Sequence, residues 1–426
     1  MASRIERKNL NITDSEEVSL STLHCDLIPM KHLLQFQCVS YFWNSLISFA
    51  RKHFKLSTTK QSDITNPNIM DSLPTLPFDL ITEILSRLPV KLLLQFRCVC
   101  KSWNSLITDH KFARKHFNLS TTPNLHVITP YDPSQRRYVL RSYPLQSLFT
   151  DLTTNFTQLG FPFNSPYEHY LHYIVASCDG ILCLADFHNT FVVLWNPSIR
   201  KFKELPPFEK PQVAGSAKFG FGYDHVSGNY KVVVLYDSYR CNIIEDTTKM
   251  KIYNMGTNSW RSFQKLPFST KFGPHESGAY VSGTINWLAY NKSSLPIFIV
   301  SFDLGKDSYQ KIFPPEHGEI DSRSNLVVLR DCLCIISYYD VWVMKEYGIK
   351  ESWTKLFKLS NLAAQSMGSF LTNALYIFED DLVLLVEETW KKELIAYNFK
   401  NNTFKLTSFF STLPEICTES LISPCS

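Results

Sequence analysis

A membrane-spanning helix needs about 18 or more consecutive apolar residues, and the chain contains no such run. The amino terminus, MASRIERKNLNITDSEEVSL, has no apolar core segment and does not read as a secretory signal. Charge of one sign is missing too. The 43 Lys and Arg nearly balance the 39 Asp and Glu, and a net of +4 is too small for the footprint of a nucleic-acid-binding protein. The expected location is therefore inside the cell, cytoplasmic and/or nuclear, with no membrane and no nucleic acid as partner. The 11 Cys then read as reduced thiols, which an odd count fits. Glycine is also scarce, 14 residues in 426 against a usual share of about 7%.

Patterns that carry chemistry are missing as well. None of the 12 His forms a His-x3-His or a His-Glu-x-x-His arrangement. Cys98-Val99-Cys100 and Cys332-Leu333-Cys334 have one intervening residue, where zinc sites usually have two to four and a second pair to close the tetrahedron. Asp224-His225 stands beside Ser227-Gly228-Asn229 and reads as a hairpin turn rather than a catalytic dyad. The acidic clusters at Glu379-Asp380-Asp381 and Glu387-Glu388 read as solvated turn charges. No Gly-rich phosphate loop and no nucleophile context is present. The expectation is a chain with no metal, no cofactor and no catalytic residue.

Hydrophobic residues make up 44% and aromatics 14%, enough to fill a large core and biased towards strands. An internal repeat organises the first third. Residues 33–47 read LLQFQCVSYFWNSLI and residues 93–107 read LLQFRCVCKSWNSLI; FARKHFKLSTT at 49–59 returns as FARKHFNLSTT at 112–122. Only the second copy is preceded by LPTLPFDLITEILSRLPV. Residues 1–69 are thus expected to be a disordered leader carrying a truncated repeat at 26–59, either a duplication remnant or mis-joined gene sequence, the alternative being an auxiliary helix pair that packs on the complete copy. Residues 70–118 read as about three short helices. Leu80, Ile81, Ile84, Leu85 and Leu88 form one stripe at helical spacing, Pro89 ends it, and Leu92, Leu93, Phe96, Val99 and Cys100 repeat the pattern. Ser102 is placed to cap a third helix containing Trp103. A bundle this small has more apolar surface than its own core needs and should bury the surplus on a partner.

From about Ile174 the period changes to two. One unit recurs: a strand, a polar turn, then a strand opening on an aromatic. The closing aromatics are Phe202, Trp260, Tyr309, Trp353 and Phe404, at spacings suited to propeller blades. A second strand type, each with a polar turn before it, falls between the hairpins, as in Cys178–Cys183 and Ser282–Trp287. Gly-Gly and Trp-Asp pairs are both absent, so the usual kelch and WD repeats are not present in standard form. Residues 119–173 are expected to be a linker and entry, 174–412 the β-domain and 413–426 a tail. The fold class expected is α+β multidomain, a small all-α bundle followed by an all-β, propeller-like domain.

Residues 70–118, with LPFDLITEILSRLPVKLLLQFRCVCKSWNSLI, closely resemble the plant F-box. Downstream, SCDGILCL, LWNPSIRKFKELP, FGFGYDHVSGNYKVV, IYNMGTNSWRSF, GTINWLAY and IVSFDL resemble the F-box-associated domain of the large plant F-box family. The resemblance implies a non-catalytic substrate receptor of a Skp1–cullin–F-box ubiquitin ligase. By position it implies Leu76, Pro77, Leu80, Ile84, Leu88, Pro89, Val90, Val99, Cys100 and Trp103 as contacts for a Skp1-like adaptor, and through it a cullin, with the β-domain capturing a target protein. Leu92 departs from the family, which often has Ser there. The first copy departs more: it lacks the first helix, and Ser40, Tyr41 and Phe42 stand for Cys100, Lys101 and Ser102. The alternatives are a propeller-like protein- or glycan-binding module with no ligase engagement, and an enzyme on the same scaffold, against which the missing chemistry weighs.

Overall fold

The short apolar runs and polar turns of residues 119–425 fold, in a computed structural model, into a ring of antiparallel sheets. The structure describes residues 78–119, 122–128, 139–148, 156–161, 172–186, 191–208, 217–240, 243–263, 266–270, 277–291, 294–318, 320–321, 324–337, 340–358, 371–378, 381–388, 392–410 and 413–425. The expected leader, its truncated repeat, Leu76 and Pro77 lie outside these residues.

The strands, in chain order, form six blades among the described residues. Blade 1 holds β1 (Pro123–Ile128), β2 (Leu140–Pro144) and β3 (Thr157–Leu159). Blade 2 holds β4 (His172–Cys178), β5 (Ile181–Asp186), β6 (Val192–Asn196) and β7 (Lys201–Glu204). Blade 3 holds β8 (Ala217–Asp224), β9 (Asn229–Arg240), β10 (Ile243–Asn254) and β11 (Ser259–Ser262). Blade 4 holds β12 (Ser269–Thr270), β13 (Ala279–Val281), β14 (Thr284–Asn291), β15 (Ser294–Asp303) and β16 (Ser308–Ile312). Blade 5 holds β17 (Asn325–Leu329), β18 (Cys332–Ser337), β19 (Asp340–Met344) and β20 (Trp353–Lys358). Blade 6 holds β21 (Leu371–Ile377), β22 (Leu382–Glu388), β23 (Lys392–Asn398) and β24 (Thr403–Phe410). The last strand, β25 (Glu415–Thr418), returns to pair with β1 and completes blade 1 in the order β25-β1-β2-β3. This corrects two expectations. The stretch expected as a linker supplies three strands, and the stretch expected as a tail supplies the fourth.

Turn chemistry explains why the hairpins are so alike. Asn196, Asn254, Asp303 and Asn398 each end a third strand. Their side-chain oxygens accept the amides of Ser198 (2.8 Å), Gly256 (2.8 Å), Gly305 (2.9 Å) and Lys400 (3.1 Å). Four positions after each, Arg200, Asn258, Asp307 and Asn402 are left-handed, with φ of 54°, 51°, 50° and 56°. That build sets the register of the aromatics, which pair as Trp195 with Phe202, Tyr253 with Trp260, Phe302 with Tyr309 and Tyr397 with Phe404. In blades 2, 4 and 5 the first two strands meet in a two-residue turn instead, with both residues left-handed: Asp179-Gly180, Ser282-Gly283 and Arg330-Asp331. At Gly180 a Cβ would run into the Ser420 side chain and the Thr418 carbonyl, so the turn needs glycine for space as well as for φ.

The core lies between blades. Ile174, Leu182, Leu184, Val193 and Trp195 of blade 2 pack on Ile128, Leu140 and Cys417 of blade 1. Equivalent clusters join blades 3 and 4, 4 and 5, 5 and 6, and 6 and 1. Both faces of each sheet are covered, so central strands such as β5 and β6 are buried throughout and read as continuous apolar runs. The closing aromatics reach across these joints: Trp260 Nε1 donates to the Pro206 carbonyl after β7 at 2.7 Å, and Trp353 Nε1 to the Phe313 carbonyl after β16 at 3.0 Å. The first strands of successive blades touch in a closed circuit, β25 to β4, β8, β13, β17, β21 and back to β25.

On the closing strand, Glu415 stands opposite His126 of β1 and accepts a hydrogen bond from Ser177 Oγ at 2.9 Å. Burial pushes its carboxyl up to about 7 and the His126 imidazole down to about 4. The signs oppose. Between its unfolded value of 4.5 and about 7 the folded Glu415 keeps a proton that the unfolded chain releases, so its contribution falls as pH rises. Between 6.5 and about 4 the folded His126 refuses a proton that the unfolded chain takes, so its contribution falls as pH drops. In thermal melts from pH 4 to pH 8, Glu415→Gln should gain on wild type as pH rises, and His126→Asn should gain on it as pH falls.

Candidate functional site

The helical bundle begins at α1 (Phe78–Leu85), which has Asp79 in its first turn against the positive end of the helix dipole. Pro89, at φ −55°, ends the connection and opens α2 (Val90–Phe96). Then come α3 (Lys101–Thr108) and α4 (His110–Leu119). Two details differ from the sequence reading. Cys100, in extended conformation and without a side-chain cap bond, holds the N-cap of α3, while Ser102 sits inside the first turn with its hydroxyl 3.1 Å from Cys100 Sγ. The fourth helix was not counted among the three expected. Asp109 caps it, its Oδ1 accepting the amides of Lys111 (2.9 Å) and Phe112 (3.0 Å).

Polar links fix how the helices lie. Glu83 pairs with Arg87 at 2.8 Å and with Lys115 of α4 at 2.7 Å, and these two hydrogen bonds hold its carboxyl below its ordinary value. The three side chains are 35–46% exposed, so the pairs orient more than they stabilise. His116 of α4 is buried, which keeps its imidazole below its ordinary value, and its Nε2 donates to the Leu88 carbonyl at 2.8 Å. Trp103 meets Phe96 edge-on, with centroids 5.5 Å apart.

The structure divides the implied contact residues into two groups. Ile84, Leu88, Val90 and Trp103 are buried within the chain, beside Leu85, Leu93, Phe96, Ile107 and Phe112. These side chains fill the bundle's own core and have little surface to offer. Leu80 is 51% exposed, Pro89 and Cys100 are exposed, and Val99 is half-buried. Leu76 and Pro77 lie outside the described residues. Three exposed residues join the second group without having been among the implied contacts: Phe78 (50%), Leu92 (37%) and Cys98. Phe78 was legible as the apolar residue two places before Leu80. Leu92 was read as part of the second helix's apolar stripe and as a departure from the family, and its exposure is what gives it weight.

On the propeller, antiparallel meandering puts the joints between first and second strands, and between third and fourth, at one end. The joints between second and third strands lie at the other end. The β9–β10 and β14–β15 hairpins have their joints at that second end. Sites suspected of chemistry resolve differently. Asp224 Oδ1 accepts the amides of Val226 (2.8 Å) and Ser227 (3.2 Å) within the β8–β9 turn, and its Oδ2 lies 3.0 Å from Lys231 Nζ. Cys334 is buried, its thiol pushed up to about 12 by burial. Among the described residues no group of three His, Cys, Asp or Glu could hold a metal ion, and no helix is long and apolar enough to cross a membrane.

Leu88→Asp would bury an unpaired carboxylate and should destabilise the bundle by about 3–5 kcal/mol. Leu80→Asp keeps its new charge in water and should stay within about 0.5 kcal/mol of wild type. Amide exchange along α1–α4 separates the two outcomes.

Comparison with known proteins points one way. The F-box domain family matches residues 73–115, and the F-box associated beta propeller domain family matches residues 137–423, a span that takes in β2, β3 and β25. An F-box/kelch-repeat protein of Arabidopsis thaliana is 33% identical over 348 residues, covering 79% of this chain and 91% of that protein. A second F-box protein of Arabidopsis thaliana is 28% identical over 80% of this chain and 89% of its own length. The Arabidopsis thaliana F-box protein CPR1 is 28% identical over 74% of this chain and 80% of its own.

Proposed function

The chain belongs to the F-box proteins that carry an F-box associated β-propeller, and from that premise we propose that it is the substrate-recognition subunit of a Skp1–cullin–F-box ubiquitin ligase. One observation carries the reading: the bundle's core is filled by Ile84, Leu88, Val90 and Trp103, yet Phe78, Leu80, Pro89, Leu92 and Cys100 remain exposed beside it. Apolar side chains left over after a core is complete are what a docking partner covers. The adaptor is then a Skp1-like protein and the cullin is reached through it. The chain supplies no reacting group of its own; it raises the effective concentration of a bound target beside the ubiquitin-transferring subunits. Capture of the target protein is assigned to the propeller end that bears the joints between second and third strands, where the long β9–β10 hairpin projects. Work of this kind belongs to the cytoplasm and/or nucleus.

A pull-down with a purified Skp1-like adaptor tests the reading. Wild type should co-purify. Leu80→Asp should fold and lose at least about tenfold in affinity, as expected for a charge placed in a docking core. Val226→Asp, at an 81% exposed position on the propeller, should bind like wild type. Absence of adaptor binding by folded wild-type chain would leave the alternative, a protein- or glycan-binding module with no ligase engagement.

A further inference from the structure

Docking at one end and capture at the other fix nothing unless the bundle is held at a set angle to the propeller. Arg114, on α4, has the partners to hold it. Its Nη1 pairs with Asp179 Oδ2, and its Nη2 donates to the Tyr230 hydroxyl at 3.0 Å. Tyr230 in turn donates to the same Asp179 oxygen at 2.8 Å, which closes a three-membered ring of polar contacts. The guanidinium carbon lies 3.8 Å from the Tyr223 ring centroid and 5.5 Å from that of Tyr230. The side chains of Arg114 and Asp179 are only 22% and 18% exposed, so the pair is largely screened from water and from salt.

Each partner is held in place by contacts of its own. Asp179 is the left-handed first residue of the two-residue β4–β5 turn, whose Gly180 is pressed on Ser420. Tyr223 and Tyr230 flank the β8–β9 turn with ring centroids 5.0 Å apart and planes tilted by 59°, and the Tyr223 carbonyl accepts from Tyr280 of blade 4 at 2.8 Å. The helix has a second attachment just beyond its end. The Thr122 carbonyl accepts the Glu419 amide at 3.1 Å, and Asn124 Nδ2 donates to Glu419 Oε1 at 3.4 Å. The ring at Arg114 ties the helix itself to the propeller, and the contacts of Thr122 and Asn124 anchor the chain that follows it.

We propose that Arg114 is a positioning residue that sets the orientation of the adaptor-docking helices relative to the propeller by bracketing the turns of blades 2 and 3. Lysine would not replace it, because a point charge can neither form the fork to Asp179 and Tyr230 nor lie flat on Tyr223. The names given to the two ends rest on the receptor reading above; the orientation itself does not.

The test uses the full chain without partners. Nitroxides on keto amino acids at the exposed Lys101 and Lys400 report one bundle-to-propeller distance by pulsed electron resonance. Wild type should give a single narrow distribution. Arg114→Ala and Arg114→Lys should broaden it, and Tyr230→Phe, which keeps the ring but drops the hydroxyl, should broaden it less. Amide exchange in α4 should rise about tenfold in Arg114→Ala, while strands of blades 2 and 3 exchange as in wild type. A narrow distribution in Arg114→Ala would overturn the proposal. So would broadening that comes only with faster exchange throughout blades 2 and 3, since the residue would then be merely structural. In a reconstituted ligase with a Skp1-like adaptor, Arg114→Ala should bind the adaptor normally yet spread self-ubiquitination over more lysines than wild type. If wild type binds no adaptor the receptor reading falls, while the distance measurement still decides the proposal.

Discussion

Closure of the ring by β25 is the constraint on which the rest of the molecule depends. The apolar clusters of the described residues each span two neighbouring blades, and blades 1, 4, 5 and 6 each share one with the blade on either side. Blade 1 is itself shared between distant parts of the chain: Asn124 and Glu419, hydrogen-bonded across it, are 295 positions apart. Bringing such a loop together costs on the order of 5 kcal/mol in chain entropy by the (3/2)RT ln n estimate. The return lies in what closure buries and bonds. Asn196, fully buried, donates to the carbonyls of Ser420 (2.9 Å) and Ile422 (2.8 Å), and its oxygen accepts the Ser198 amide. One side chain thereby builds its own turn and clamps the returning segment, and removing it would strand buried backbone carbonyls. Ser177 Oγ, bonded to the Glu415 side chain at 2.9 Å and to the Ile416 carbonyl at 2.7 Å, clamps the strand itself to blade 2.

The hairpins were legible in the sequence because their chemistry is local. An Asn or Asp at the end of a strand, a polar turn and a following aromatic specify a register within a dozen residues, and the observed pairs from Trp195–Phe202 to Tyr397–Phe404 follow from it. Blade 1 was not legible for the opposite reason. Its first strand, β25, and its next three strands carry no shared local pattern; β3 is three residues long, and β25 has a partner nearly 300 positions away. A segment whose pairing is set by ring closure looks from its own residues like linker or tail.

The bundle shows a different limit. Helical spacing placed Leu80, Ile84 and Leu88 in one stripe, correctly as a periodicity, but a stripe does not say which of its edges faces inward. Packing α4 across the connection after α1, through His116 to Leu88 and Lys115 to Glu83, draws Ile84 and Leu88 inside and leaves Leu80 out. The missed helix is the element that makes the distinction. Its signals, Asp109 at the cap and Phe112, Ala113 and His116 on one face, were present in the sequence but were read only as part of a repeat.

The two ends of the propeller also differ in what the chain can vary there. The end that carries the bundle includes three two-residue turns with paired left-handed residues and four Asx turns with a left-handed fifth position. Few residue types satisfy those backbones, and a substitution at Gly180 would meet Ser420. The other end carries the joints between second and third strands, and there a bulge breaks the register of the β9–β10 hairpin between Ile244 and Thr248. A scaffold arranged this way restricts substitution at those turns of its mounting end for backbone reasons. It also leaves the far end free to change residue by residue without disturbing either the interblade cores or the ring that Asn196 and Ser177 hold shut.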